Sequence, residues 1–169
     1  MKLSEGVEAA IHCAAVLAQL EQEQTLPAAA LAEFHGVSPS YLLKHLKALV
    51  AGRVLESVSG PNGGYRLARR PEQITLLDVV LAIEGPAPAF RCMEIRQRGP
   101  LKLPKSAYVK PCGINAAMLR AERAYRAVLS ETSIHDIVSN FNTEGDPRSN
   151  AAACTFIAAN LRPRTENSR

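Results

Sequence analysis

Two pairs of side chains in this sequence have types and spacings that could do chemistry. Cys92 and Cys112 flank a basic, proline-containing stretch with nineteen residues between them, and Glu8 and His12 stand four apart near the amino end. A thiolate is a nucleophile, a redox group and a soft metal ligand. Cys112 opens a predicted helix, where the positive end of the helix dipole and nearby Lys110 favour the ionised sulfur. Four cysteines, no signal peptide and no long apolar span point to a reducing, intracellular setting without a membrane partner. A cysteine pair there serves metal binding or redox chemistry rather than stapling the fold. Glu8 and His12, on successive helical turns, have side-chain roots about 6 Å apart, close enough to act on one object. The same spacing suits an ordinary intrahelical pair at a solvated surface, and taken alone it favours that reading. Cys13 points elsewhere and reads as a small buried hydrophobe. No acid, base and nucleophile constellation can be traced, so an enzyme is not expected.

The elements that must position these groups follow from periodicity. Residues 4–21 read as an opening helix that Ser4 can cap, with Val7, Ile11, Ala14 and Ala18 on one face. A short helix from Leu26 to His35, a tight joint at Gly36-Val37 and a second helix from Ser38 to Gly52 make a helix-turn-helix. In the second helix Ser38 is a fitting N-cap, Pro39 suits the first position, and Leu42, Leu46 and Leu49 mark the buried face. Ser40, Tyr41, Lys44 and Ala48 then face outward, with Lys47 on the flank. After Gly52 the pattern shortens to a strand over Val54–Val58, turns through Gly60-Pro61-Asn62-Gly63-Gly64 and returns over Tyr65-Arg66-Leu67. Helix pair plus glycine-rich hairpin is a winged helix-turn-helix, which places its second helix in the major groove of double-stranded DNA. The expected DNA contacts are Ser38, Ser40, Tyr41, Lys44 and Lys47 on the helix, and Asn62, Gly63 and Gly64 on the wing.

Thr75 with Asp78 begins a further helix that Gly85 and Pro86 stop, closing a DNA-binding domain at residues 1–85. Residues 86–112 are a long loop with a cysteine near each end, and Gly113 to Ser130 is a helix on which Ile114, Met118, Ala121, Tyr125 and Val128 recur every four and three residues. That recurrence is a short coiled-coil seam, so residues 113–140, which include a small helix at Ile134–Val138, are expected to form a homodimer matching a palindromic operator. Residues 141–169 read as a C-terminal tail with a short helix at Ala151–Leu161 containing Cys154 and a polar, disordered end. The fold class is therefore mainly α with a small β-hairpin wing: a winged helix-turn-helix plus a long dimerisation helix. Composition agrees. Alanine and leucine dominate an apolar fraction of 47%, the net charge is +4, and residues 91–126 hold nine Lys or Arg against two Glu. An anionic partner suits that balance.

Several segments together carry a resemblance to a known family. They are Lys2-Leu3-Ser4, the Ser38–Leu49 helix, Gly63-Gly64-Tyr65-Arg66-Leu67-Ala68-Arg69, Ile74-Thr75-Leu76-Leu77-Asp78-Val79-Val80, Glu84-Gly85-Pro86 and the cysteine loop. Residues 1 to about 140 resemble the Rrf2 family of bacterial winged-helix regulators, whose members include iron-sulfur sensors. Common members carry three closely spaced loop cysteines, a pattern absent here. The spacing of Cys92 and Cys112, and the sequence from Phe90 to Leu101, are similar instead to redox regulators within that family. This resemblance implies a cytoplasmic redox-sensing repressor with a 2Fe-2S cluster bridging two subunits, held by Cys92 and Cys112 of one chain and Glu8 and His12 of the other. Two other readings stay open: regulation through a Cys92–Cys112 disulfide or zinc, and an iron-sulfur interaction protein whose helix-turn-helix binds a protein partner. Ser59 stands where many relatives place an arginine before the wing glycine, so minor-groove reading by arginine is not expected.

Overall fold

A computed structural model of the chain describes residues 3–21, 23–100 and 103–162. Lys2, Leu101 and the polar end expected to be disordered, 163–169, lie outside the described residues.

The opening helix, α1 (Glu5–Leu17), is shorter than its periodicity suggests. Its buried face is Val7, Ala10, Cys13, Ala14 and Leu17, while Ile11 and Ala18 are only partly covered. Ser4 occupies the N-cap position but does not cap. Its backbone N–H and its hydroxyl both donate to Glu84 Oε1, at 2.9 and 2.6 Å. The expectation of a serine cap is corrected here: a carboxylate from a distant helix is the stronger acceptor and claims the hydroxyl. The same hydrogen bonds hold the Glu84 carboxyl below its ordinary pKa.

The helix pair is α2 (Ala28–Phe34) and α3 (Pro39–Ala51). Ser38 Oγ accepts from Tyr41 N at 3.3 Å, Pro39 fills the first position, and Leu42, Leu46 and Leu49 are each fully buried. Each such leucine contributes roughly 1.5–3 kcal/mol relative to exposure. The wing is the antiparallel pair β1 (Leu55–Val58) and β2 (Gly64–Leu67), with Leu55 opposite Leu67 and Val58 opposite Gly64. The cross-strand partners Glu56 and Arg66 form an ion pair, and Arg66 also reaches Glu23 at 2.9 Å. Helix α4 (Leu76–Glu84) opens with the expected capping box between Thr75 and Asp78 and stops at Gly85, whose φ is 82°. It packs against α1, α3 and α5 (Gly113–Glu131).

Helix α5 has no buried residue. Leu119, Glu122, Tyr125, Arg126 and Leu129 are half-covered, while Ile114, Met118 and Val128 of the seam are 68%, 42% and 62% exposed. Beyond it the chain is more ordered than its sequence suggests. Helix α6 starts with a second capping box, Ser133 with Asp136, and runs over Ile134–Glu144 rather than ending at Val138, while α7 (Pro147–Asn160) takes in most of the helix expected at Ala151–Leu161 and begins a turn earlier. Ile134 and Ile157 enter the same core as the leucines of α3.

The approach of α1 to α3 depends on one glycine. A Cβ at Gly6 would lie 2.7 Å from Nδ1 of the buried His45 ring. Gly6→Ala is expected to destabilise the chain by about 1–3 kcal/mol, because the ring is held between the two helices. Urea unfolding measures this, and the loss should shrink in a His45→Ala background, where the obstruction is gone.

Candidate metal centre and nucleic-acid interface

The cysteine loop owes its shape to Arg96. Its Nε donates to Glu94 Oε2 at 2.7 Å, its Nη2 donates to the Lys110 carbonyl at 2.9 Å, and its guanidinium lies 5.4 Å from the centre of the Tyr108 ring. Tyr108 returns a hydrogen bond to the Arg96 carbonyl at 3.3 Å. These contacts join the two ends of the loop across two single-turn 3-10 segments, Ile95–Gln97 and Lys105–Tyr108. Glu94 adopts a left-handed conformation at φ 47°, uncommon for a residue with a Cβ, and so turns back toward Cys92. Cys92 Sγ donates to Glu94 Oε1 at 3.6 Å.

Cys92 and Cys112 are thereby neighbours, both free and both half-buried. Their ionisation is pushed apart. No capping hydrogen bond of full geometry forms at Cys112, yet the N–H groups of Asn115 and Ile114 favour its thiolate, aided by Cys92 and the Arg96 charge, and its pKa falls below the ordinary thiol value. At Cys92 a backbone hydrogen bond from Glu94 pulls downward, but desolvation and the Cys112 sulfur outweigh it, and the pKa rises. Cys13 is fully buried and desolvation pushes it up to about 12. Limited alkylation at neutral pH is therefore expected to label Cys112 before Cys92, and Cys13 only after unfolding, since the thiolate is the nucleophile. Peptide mass spectrometry gives the order, and Cys92 reacting first would contradict it.

Glu8 and His12 are exposed on α1 and line an open groove of about 740 Å³ with His35, Ser38 and Tyr41. The His12 and His35 ring centres are 5.7 Å apart. His35 Nε2 is buried without a partner among the described residues, and burial, then the charge of His12, lowers the His35 pKa. Sequence spacing did not single out His35, because it sits at the end of α2 and meets α1 only through the fold. The structure thus brings the four expected ligands together as two separate pairs. Among the described residues no group of three or more His, Cys, Asp or Glu side chains gathers into a metal site within one chain. The donor types nevertheless fit a two-iron centre: two adjacent thiols, one biased toward ionisation, would supply both protein ligands of one iron, and an exposed carboxylate-imidazole pair would supply those of a second.

The expected DNA-contacting side chains on α3 are displayed outward. Ser40, Lys44 and Lys47 are exposed, and the Tyr41 ring, 36% exposed, meets His45 edge-on at 4.7 Å. Ser38 is exposed as well, although its hydroxyl already serves the helix as cap. On the wing, the Asn62 carbonyl accepts from Thr25 Oγ1 at 3.1 Å. A Cβ at Gly64 would stand 2.5 Å from the Leu26 carbonyl, and one at Gly63 would meet the Gly60 carbonyl at 2.8 Å. Both glycines therefore have a steric reason within the wing itself. Among the described residues no helix is long and apolar enough to cross a membrane.

The chain is similar to known proteins in sequence and in fold. The family model described as Rrf2, iron-dependent transcriptional regulator, matches residues 3–140. The HTH-type transcriptional regulator YffB of Lactococcus lactis is 36% identical over 137 residues, 81% of this chain and 86% of that protein. Among solved structures, T. potens IscR aligns with a TM-score of 0.64 at 22% identity, covering 86% of this chain and 92% of the other. CymR, the global cysteine regulator of B. subtilis, aligns with a TM-score of 0.62 at 22% identity, covering 82% and 97%. At that identity the structural likeness shows the fold.

Proposed function

This chain belongs to the Rrf2 family of transcriptional regulators, and from that membership we propose that it is a cytoplasmic, redox-sensing repressor whose 2Fe-2S cluster bridges two subunits and controls operator binding. Cys92 and Cys112 of one subunit and Glu8 and His12 of its partner are the ligands in this reading. The observation that carries it is the pairing of two free thiols at the start of α5, one of them biased toward the thiolate that iron requires. When bound, such a cluster supplies a one-electron couple, and an imidazole ligand raises its potential.

The residues of the chain connect that couple to DNA. Glu8 and His12 share their groove with Ser38 and Tyr41 at the start of α3, so whatever binds α1 there bears on the recognition helix. The cysteines lead directly into α5, whose exposed apolar seam suits a second copy of the chain. A bridge between α1 of one subunit and the α5 entrance of the other sets the spacing of the two recognition helices. Redox state then acts by favouring one spacing over another. Ser40, Tyr41 and Lys44 read the major groove, Lys47 meets phosphate, and the turn at Asn62, Gly63 and Gly64 approaches the backbone.

Anaerobic purification followed by iron, sulfide and oligomer-mass determination tests the cluster, and salt-dependent binding of duplex DNA in oxidised and reduced states tests the coupling. A colourless dimer, or iron retained equally when Glu8 and His12 are replaced by alanine, would count against it. The adjacency of the two thiols also supports a second reading, a Cys92–Cys112 disulfide switch. In that case iron is absent and oxidant removes two titratable thiols per chain, reversibly with dithiothreitol.

A further inference from the structure

The family match ends at residue 140, yet the chain continues through α7 and returns to the wing. Phe156 of α7 meets Phe34 of α2 at 5.2 Å between ring centres, Ile157 is 6% exposed, and Leu161 packs against the core. At the end of this path Arg162 pairs with Thr25 as an antiparallel bridge. Thr25 N donates to the Arg162 carbonyl at 3.3 Å, and Arg162 N donates to the Thr25 carbonyl at 3.0 Å. The next residue, Leu26, bridges Tyr65 of β2 in the same way, at 3.1 and 2.8 Å. The two-stranded wing is thus extended sideways, first by residues 25–26 and then by Arg162.

The Arg162 side chain goes further. Its Nη1 donates to the Pro61 carbonyl at 2.5 Å, and the hydroxyl of Thr25, which Arg162 holds by its backbone, donates to the adjacent Asn62 carbonyl at 3.1 Å. Two successive carbonyls of the wing turn are therefore engaged by donors on one side of the hairpin. A glycine-rich turn has little else to fix it: within it Gly63 N donates to the Gly60 carbonyl at 2.9 Å, and Gly60 sits at φ 105°. We infer that Arg162 is a positioning residue for the wing, clamping the turn at residues 60–64 in the orientation that meets DNA. The C-terminal segment outside the family match thereby sets the affinity of the winged helix for its duplex. The inference rests on the reading of the wing as a DNA contact.

The test compares full-length wild type, Arg162→Ala and Arg162→Lys. It uses amide hydrogen exchange of the DNA-free proteins and their affinity for a fluorescent duplex that the wild type has selected from a random-sequence pool. With Arg162→Ala, exchange at residues 60–65 should quicken by about tenfold while the amides of α3 keep their protection. Duplex affinity should fall by about fivefold to tenfold as the wing loses its orientation, with Arg162→Lys, which retains a donor and the charge, within about twofold of wild type. Weaker binding with unchanged exchange in the free protein would mean that Arg162 touches DNA directly, which overturns the inference. Unchanged binding and exchange would overturn it too, leaving the DNA-binding reading intact. A wild type that selects no duplex overturns both.

Discussion

Mixing two inactive variants should restore a cluster that neither holds alone. One chain carries Cys92→Ala with Cys112→Ala, and the other carries Glu8→Ala with His12→Ala. A homodimer of the first has neither loop thiolate, and a homodimer of the second has no carboxylate-imidazole pair on α1. In the mixed dimer one of the two symmetric sites is complete, with thiolates from the second chain and Glu8 and His12 from the first. Random assortment makes half of the dimers mixed, so iron and sulfide should recover to about one quarter of the wild-type content. The value discriminates because each competing arrangement gives a different one. Ligation within a single chain gives no recovery in the mixture. Ligation by cysteines alone leaves the Glu8/His12 variant loaded before mixing. Among the described residues the two pairs do not gather into one group within a chain, the thiols lying at the ends of the loop before α5 and Glu8 with His12 in the groove beside α3, which is why assembly in trans is the arrangement to test. The substitutions should leave the fold intact: all four side chains are exposed or half-buried, whereas the cysteine in the core is Cys13.

The parts of the fold that the sequence made legible are those governed by local chemistry. Ser38, Pro39 and the leucine repeat specify α3, and Thr75 with Asp78 specifies the start of α4, because a cap and an apolar stripe act within a few residues of themselves. The glycine-rich turn of the wing was readable for the same reason. Features that depend on distant partners were not. Ser4 looks like a cap until Glu84, eighty residues away, takes its hydroxyl. Gly6 looks like a weak helix residue until His45 is set against it. His35 reads as the last residue of a short helix until α1 brings His12 to its ring. The sequence points to α7 only from Ala151 onward; its first turn comes from Asp146 capping Arg148 N at 2.8 Å, and Ile157 and Phe156 dock on residues far back in the chain. For the candidate site, residue type drew attention to the two loop cysteines, whereas the spacing of Glu8 and His12 alone favours an ordinary surface pair and only the family resemblance made them ligand candidates. The role of Arg96 in bringing Cys92 to Cys112 needed the fold, because its partners, Glu94, Tyr108 and Lys110, are spread along the loop.

Replacing Lys44 and Lys47 one at a time should produce losses of different kinds. Both side chains are exposed on α3, but Lys44 stands on the outward face with Ser40 and Tyr41 while Lys47 lies one turn on at the flank. A side chain aimed at base edges discriminates among sequences, so Lys44→Ala should cost about 1–3 kcal/mol on the preferred duplex, a loss of about 5- to 150-fold, and much less on a scrambled one. A side chain aimed at phosphate binds all sequences alike. Lys47→Ala should therefore weaken both duplexes by a similar factor and flatten the dependence of log K on log salt by about one unit. Tyr41 offers an internal control. Its ring is braced edge-on against His45, so Tyr41→Phe keeps the packing and removes only the hydroxyl, and a loss confined to the preferred duplex would assign that hydroxyl to base reading. If both lysine variants instead lose the same factor on every duplex, α3 lies along the backbone rather than in the major groove. The wing and the α2–α3 joint would then have to carry sequence recognition, which their backbone-dominated, glycine-rich surface is poorly equipped to do.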